Sequence, residues 1–416
     1  MKKYVILGAS AAGVNAIGAI RSLDNKGLIT LVSEDDAIYS RCILHHFLSG
    51  ARDEKGLQFI DDDFIVKHKV NWKKGVCAVS LDPAARKVTL SDGSAEPYDK
   101  LLVATGARTA FPPIPGIQGE NAARSAGIYG LRTLDDARNI KAAAKNAASI
   151  VILGGGLIGI DAASGLLDRG KPITLIEGQN NMLPLQLDKT AAQGYEQMFS
   201  KHGGKQYYHV TVKEIAKDAN GAVSGVTLSD GTHIGCDMIV CATGVKANAD
   251  VLENSGILVD AKGLVFNRRG ETNDSAVYGA GDVGGKSPIW PLAVKEGIIA
   301  GANMAGASME HADFFGSKSA MSFWGIKTLS MGIHTPPDTS YTIEIEQRDG
   351  NYKKIVHKNG RIYGALIQGD LSYAGILTQL IAQKIDVSRV RKSLFSIDYS
   401  DFFTLKQNLE FTYEEV

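Results

Sequence analysis

The chain has 416 residues, 44% of them hydrophobic, with 45 Lys plus Arg against 45 Asp plus Glu. At roughly 100–200 residues per domain that is two to four domains, with enough apolar content to bury sizeable cores. The formal net charge of zero argues against nucleic-acid binding by phosphate neutralisation and against a long disordered chain.

Glycine is over-represented at 46 residues, against a usual share of about 7%. No collagen period or low-complexity tract absorbs it, so these glycines serve turns and close backbone approaches. The N-terminal MKKYVILGAS has two lysines but an apolar run too short for a signal peptide. No apolar run of about 18 residues occurs, so no membrane span is expected and a cytoplasmic location is. Four cysteines, Cys42, Cys77, Cys236 and Cys241, are too few for a disulfide framework. No metal site is expected.

In chain order, the apolar run Tyr4–Leu7 leads into GASAAG, then a helix-like stretch, then LITLVSE ending at Glu34. Ile150–Leu153 leads into GGGLIG, a helix-like stretch and ITLIE ending at Glu177. Each is a βαβ unit with an acid 23–26 positions after its first glycine, close to the spacing of a dinucleotide site. The second unit has all three glycines, Gly154, Gly156 and Gly159. The first keeps Gly8 and Gly13 but has Ser10 in the middle. A carboxylate at Glu177 accepts from a ribose 2′-hydroxyl and repels a 2′-phosphate. No cation follows among Gly178, Gln179, Asn180 and Asn181, so NADH is expected over NADPH. In the first unit Glu34 is the expected ribose partner, with Ser33 as the other candidate.

Two further segments echo each other. Tyr98–Ala107 (YDKLLVATGA) and Cys236–Val245 (CDMIVCATGV) each read as a buried strand ending in Ala-Thr-Gly. Each follows one βαβ unit, so a whole nucleotide-binding domain is repeated. Hairpin signals with Asp-Gly turns recur at SLDPAARKVTLSDGSAEP and TLSDGTHIGCD. Between the copies Phe111–Gly116 (FPPIPG) reads as a stiff connector, and LRTLDDARNIKAAAKN as a helix. Glu271–Gly285 holds a strand ending at Gly281-Asp282. In this setting Asp282 meets the ribityl chain of a flavin; alone, it reads as a helix cap. After about residue 320, alternating strands and then a helix through LSYAGILTQLIAQKIDVSRVRKSLF predict a third, α+β domain.

The ordered motifs GxSxAG, ATG, GGGLIG, ATG and YGAGD resemble the FAD- and NAD(P)-dependent pyridine nucleotide-disulfide oxidoreductase superfamily. The resemblance implies an α/β fold with two Rossmann-like domains, the FAD domain split by an inserted NAD domain. The expected segments are 1–110 and 246–318 for FAD, 111–245 for NAD, and 319–416 as a C-terminal α+β interface domain. YKKIVHKNGRIYGALIQGD resembles the C-terminal domain of NADH:rubredoxin oxidoreductases and nitrite reductase flavoproteins. The implied FAD contacts are Gly8, Ser10, Ala12, Gly13, Glu34, Arg41, Cys42, Val79, Ala104, Thr105, Gly106, Arg132, Gly281 and Asp282. The implied NAD contacts are Gly154, Gly156, Leu157, Ile158, Gly159, Glu177 and Gly244. Arg41 and Arg132 read equally as surface ion-pair residues.

The paired redox cysteines of disulfide reductases are missing from the helix after the first unit. Cys236 and Cys241 lie on a predicted strand, on opposite faces and roughly 16 Å apart at ~3.3 Å per residue, and read as core; Cys77 is expected to pack likewise. Cys42 occupies the redox-cysteine position of the NADH oxidase and coenzyme A-disulfide reductase branch, where a thiolate of lowered pKa is conceivable. Tyr39 and Arg41 match the YxR motif of the electron-transfer branch instead. By the same resemblance His46 and Asp161 replace a Lys–Glu pair near the flavin, with Asp161 holding His46 partly protonated; otherwise His46 is a solvent-side residue no different from His45. The expected activity is hydride transfer from NADH to FAD, then electrons to an acceptor. That acceptor is a redox protein of rubredoxin or ferredoxin type or a partner subunit. The alternatives are a coenzyme A-disulfide or persulfide reductase or NADH oxidase using Cys42, and a non-catalytic NADH-binding subunit. Tyr399, Phe402, Phe403, Phe411 and Tyr413 are a candidate partner surface and read equally as residues that pack the third domain, and a homodimer is a candidate assembly.

Overall fold

A computed structural model describes residues 1–117, 126–311 and 318–413, with backbone only at Thr404, Leu405, Phe411 and Tyr413. Two compact units result: one comprises residues 1–178 and 203–312, the other residues 179–202 and 313–416.

The first unit holds two five-stranded parallel sheets. In the first, the strands run Val277–Gly279, Lys100–Val103, Lys3–Leu7, Leu28–Ser33, Val70–Lys74. In the second they run Lys205–Tyr208, Ile173–Glu177, Ile150–Leu153, Met238–Cys241, Ile128–Gly130. Ile150–Leu153 and Ile173–Glu177 are buried along their whole length, as continuous apolar runs in a sheet covered on both faces must be. The strand Val277–Gly279, far along the chain, pairs with Lys100–Val103 and completes the first sheet. Between the two sheets the chain crosses twice, and Ala107–Thr109 and Val245–Ala247 pair antiparallel where it does so.

Both hairpin signals become three-stranded antiparallel sheets: Ala78–Asp82, Lys87–Leu90, Ala95–Pro97, and Val212–Lys217, Val223–Leu228, His233–Gly235. The helix expected near residue 134 runs Leu134–Ala143 and starts on a reciprocal cap between Thr133 and Asp136. The helix Trp290–Met304 lies against Ala11–Leu23 through Gly297 and Gly301, where a Cβ would strike the backbone of Ala12 and Ala16. Small residues four apart therefore set this close approach.

Three cysteine expectations need correction. The strand begins at Met238, so Cys236 is not on it, and Cys236 and Cys241 share one core cluster instead of opposite faces. Cys236 instead follows the hairpin, its N–H donating to Ser224 O at 3.3 Å. Cys77 is exposed, at a hairpin edge where its N–H donates to Ser91 Oγ.

The second unit contains a five-stranded antiparallel sheet in the order Lys318–Phe323, Ile326–Gly332, Arg361–Gln368, Asn351–Lys358, Thr342–Arg348. Helix Lys189–Lys201 belongs to this unit. Its N-cap Asp188 accepts from Ala191 N–H, from Lys354 Nζ at 2.8 Å and from Tyr352 Oη at 2.7 Å. Tyr195 Oη donates to Thr328 Oγ1 at 2.8 Å. The long C-terminal helix is shorter than expected, Ala374–Ala382. Lys384 turns left-handed at φ 53°, and Val387 N–H donates to Gly360 O, so the chain bends back to place Val387, Leu394 and Ile397 in the core. Of the aromatic tail, Tyr399 and Phe403 are exposed, whereas Phe402 packs on that core. The side chains of Phe411 and Tyr413 lie outside the described residues. Among the described residues no helix is long and apolar enough to cross a membrane.

Candidate functional site

The two glycine turns repeat each other contact for contact. Gly8 N–H donates to Val32 O at 2.8 Å, and Gly154 N–H to Ile176 O at 2.8 Å. Both adopt left-handed backbone, φ 114° and 100°. A Cβ on Gly8 would strike Ala104 O, and one on Gly154 would lie 2.5 Å from Ala242 O. Thus each Ala-Thr-Gly segment begins at the wall of a glycine turn. Gly13 and Gly159 are excluded from bearing a side chain by Gly8 O and Gly154 O. The middle position differs: nothing lies within 4 Å of a Cβ on Gly156. That is why the first turn accommodates Ser10.

Each turn opens a helix, Ala11–Leu23 and Leu157–Leu167, with no side-chain cap and no acid in its first turn. Their leading N–H groups and positive dipole ends suit a diphosphate. Gly106 and Gly244, which close the two Ala-Thr-Gly segments, also have nothing within 4 Å of a Cβ. The residues present fit two dinucleotides: two uncapped helix starts, each beside an open glycine surface.

Glu177 is buried, and its carboxylate accepts from Gly155 N–H at 2.6 Å. It is thus fixed at the mouth of the second turn. Glu34 is exposed. Ser33 is buried, donating to Asp35 O and accepting from Trp72 Nε1 at 2.8 Å. Val79 is exposed on its hairpin strand, which approaches the same strand end through Val76 N–H to Ser33 O. Thr105 Oγ1 donates to Asn248 O at 2.6 Å, and Asn248 Nδ2 donates back to Thr105 O. Its hydroxyl therefore ties the two crossing strands together. Ala12 supports helix packing against Gly297.

A polar network joins the remaining site residues. Tyr39 Oη donates to Asp35 at 2.9 Å and accepts from Leu134 N–H. Arg41 donates to Asp35 at 2.7 Å and to Arg132 O at 2.7 Å. Arg132 pairs with Asp282 at 2.8 Å and also donates to Ala107 O. Gly281 N–H donates to Glu296 at 2.7 Å. Arg41, Leu44, His45, Leu131, Arg132, Ile158 and Asp161 line one small cavity; Leu157 starts the helix beside Ile158.

The expected pairing of His46 with Asp161 is corrected. His45 Nδ1 lies 3.1 Å from Asp161 Oδ1. Helix Leu44–Ser49 packs on helix Leu157–Leu167 at Gly165, where a Cβ would sit 2.7 Å from His45 O and 2.9 Å from Leu48 Cβ. His45 and Leu48 are three apart and share that face; His46 is turned about 100° away. Burial, the neighbouring His45 and Arg52 hold the His46 pKa below its ordinary value. Asp161 is not among the groups that shift it. Burial pushes Asp161 up, opposed by its hydrogen bond to His45.

The surroundings of Cys42 do not favour the thiolate expected of it. Cys42 is exposed, but desolvation by the surrounding walls, with Asp161 and Asp282 adding to it against Arg132, pushes its thiol up to about 11. The two nearby carboxylates outweigh the single cation. Sequence reasoning missed His45, Asp35 and Glu296. The helix phase of Leu44, Phe47 and Leu48 was the available signal for His45; Glu296 had none, since its partner is a backbone N–H fifteen residues earlier.

Two glycine-turn nucleotide folds joined by a paired double crossover, with an acid at the second strand end, define a protein built for two dinucleotides. Residues 2–297 match the model of the pyridine nucleotide-disulphide oxidoreductase family, and residues 319–385 that of the rubredoxin NAD+ reductase C-terminal domain. The chain belongs to this family of NAD(P)H-dependent FAD oxidoreductases. It is 32% identical to the NADH-dependent phenylglyoxylate dehydrogenase subunit epsilon of Aromatoleum evansii, over 94% of this chain and 93% of that one. It is 28% identical to the nitrite reductase [NAD(P)H] of Bacillus subtilis over 94% of its length, but spans only 48% of that protein. The solved NADH:rubredoxin oxidoreductase of Clostridium acetobutylicum has the same fold, with TM-score 0.74, 23% identity and coverage of 94% and 97% of the two chains.

Proposed function

We propose that this flavoprotein takes reducing equivalents from NADH and passes them to a redox protein or partner subunit, not to a dissolved disulfide. The observation that carries this reading is the rubredoxin NAD+ reductase type of C-terminal domain at residues 319–385, and the upward push on the Cys42 thiol agrees with it. The similarity to a complex subunit along nearly the whole of both chains supports the same acceptor class. Segments 1–110 and 246–318 serve FAD, and 111–245 serves NADH.

The protein's own groups supply binding and orientation. The helix starts at Ser10 and Gly156 receive the diphosphates. Glu177 receives the ribose of NADH. The Arg132–Asp282 pair faces the flavin, and His45–Asp161 braces the segment bearing Cys42. Bound FAD supplies the conversion from two-electron to one-electron chemistry.

Cys42→Ser is expected to leave NADH-driven reduction of a one-electron dye within about twofold of wild type, since this route uses no thiolate. An anaerobic NADH titration should count two electrons per FAD in both proteins. Four electrons in wild type, or disulfide reduction by wild type that the variant loses, moves the assignment to the thiol-based reading. Glu177→Gln keeps the acceptor for Gly155 N–H and removes the charge. Its preference for NADH over NADPH should fall at least tenfold in kcat/KM. Wild type that prefers NADPH overturns the specificity reading.

A further inference from the structure

We propose that Glu296 is a positioning residue of the flavin site: its carboxylate pins the Gly281–Asp282 turn and makes FAD uptake by the apoprotein depend on pH. The proposal rests on reading that turn as flavin-facing. Glu296 lies on helix Trp290–Met304, the element packed against the first glycine-turn helix. It reaches across to accept from Gly281 N–H at 2.7 Å. The next residue, Asp282, is the one that pairs with Arg132 at 2.8 Å. So the turn that carries Asp282 is held at two points, by Arg132 on the Asp282 side chain and by Glu296 on the N–H of the preceding residue, Gly281.

Two carboxylates are thereby placed together beside a helix start suited to a diphosphate. The charged groups facing Glu296 are Asp282 and Lys286. The packed helix Ala11–Leu23 meets this helix through Ala12 and Ala16, which carry no charge. Burial first, then Asp282, raise Glu296 to about 7, against the Gly281 N–H and Lys286. A diphosphate bound at the neighbouring helix start adds negative charge and favours the protonated acid. FAD binding then takes up a proton at Glu296, and affinity falls as pH rises through neutrality, by at most tenfold per pH unit for a single linked proton.

The test is titration of apoprotein with FAD from pH 5.5 to 8.5, followed by flavin fluorescence, for wild type and Glu296→Gln. A second measurement needs no variant: proton uptake by wild type on adding FAD near pH 7, read with a pH indicator in weak buffer. Wild type should weaken several-fold between pH 6 and 8 and take up a fraction of a proton. Glu296→Gln, whose amide oxygen still accepts from Gly281 N–H, should bind with a flat profile. Identical profiles in the two proteins, or no proton uptake by wild type that binds FAD, overturn the proposal alone. An apoprotein that takes up no FAD at any pH removes the flavin-turn reading as well.

Discussion

Gly154→Ala should weaken NADH binding roughly a hundredfold while the protein keeps its FAD. The residue sits at φ 100°, where an L side chain costs about 1–2 kcal/mol. The added Cβ would also lie 2.5 Å from Ala242 O and 2.8 Å from Ala242 C. Both atoms belong to backbone at the end of a fully buried strand, so neither yields cheaply. Adding about 1–3 kcal/mol for overpacking gives a total of about 3 kcal/mol, or roughly 10²-fold in NADH affinity. Gly156→Ser is the control: its side chain meets open space, and Ser10 already occupies that place in the first turn. It should fold as wild type and lose tenfold or less. Equilibrium dialysis with NADH, alongside the flavin absorbance of each variant, measures both. Gly154→Ala with wild-type affinity for NADH sinks the assignment of the second turn.

This contrast also explains why so much of the architecture was readable from residues alone. The turn glycines are dictated by local backbone geometry, so their spacing survives in the sequence whatever the rest of the chain does. Continuous apolar runs such as Ile150–Leu153 betray strands buried on both faces. Relations set by tertiary contact left weaker traces. Two adjacent histidines cannot be told apart by motif, and only the packing of Gly165 against His45 and Leu48 decides which one meets Asp161. Cys42 stands at a position whose chemistry depends on the balance of Asp161, Asp282 and Arg132, contributed by segments far apart in the chain. The C-terminal helix reads as long because its apolar residues continue to Phe395. After Ala382 those residues fill the core from an irregular segment, which periodicity alone does not distinguish from helix.

Arg132→Met should loosen FAD, because it removes the guanidinium and leaves the Asp282 carboxylate facing Glu296. Arg132 and Asp282 side chains are 15% and 18% exposed. Stranding one partner of a fully buried pair costs about 3–5 kcal/mol; with this residual exposure about 2 kcal/mol is expected, roughly thirtyfold in FAD affinity. The peptide of Arg132 still receives Arg41 and still donates to Asp136, so the change is confined to the side chain. Asp282→Asn in the same protein removes the stranded charge. If the cost is electrostatic, the double variant should recover about 1 kcal/mol, or roughly fivefold, relative to Arg132→Met. Flavin retained through gel filtration and the thermal midpoint of each apoprotein give the two sides of the cycle. A double variant that binds FAD no better than Arg132→Met would assign Arg132 to packing, not to holding the charge of Asp282.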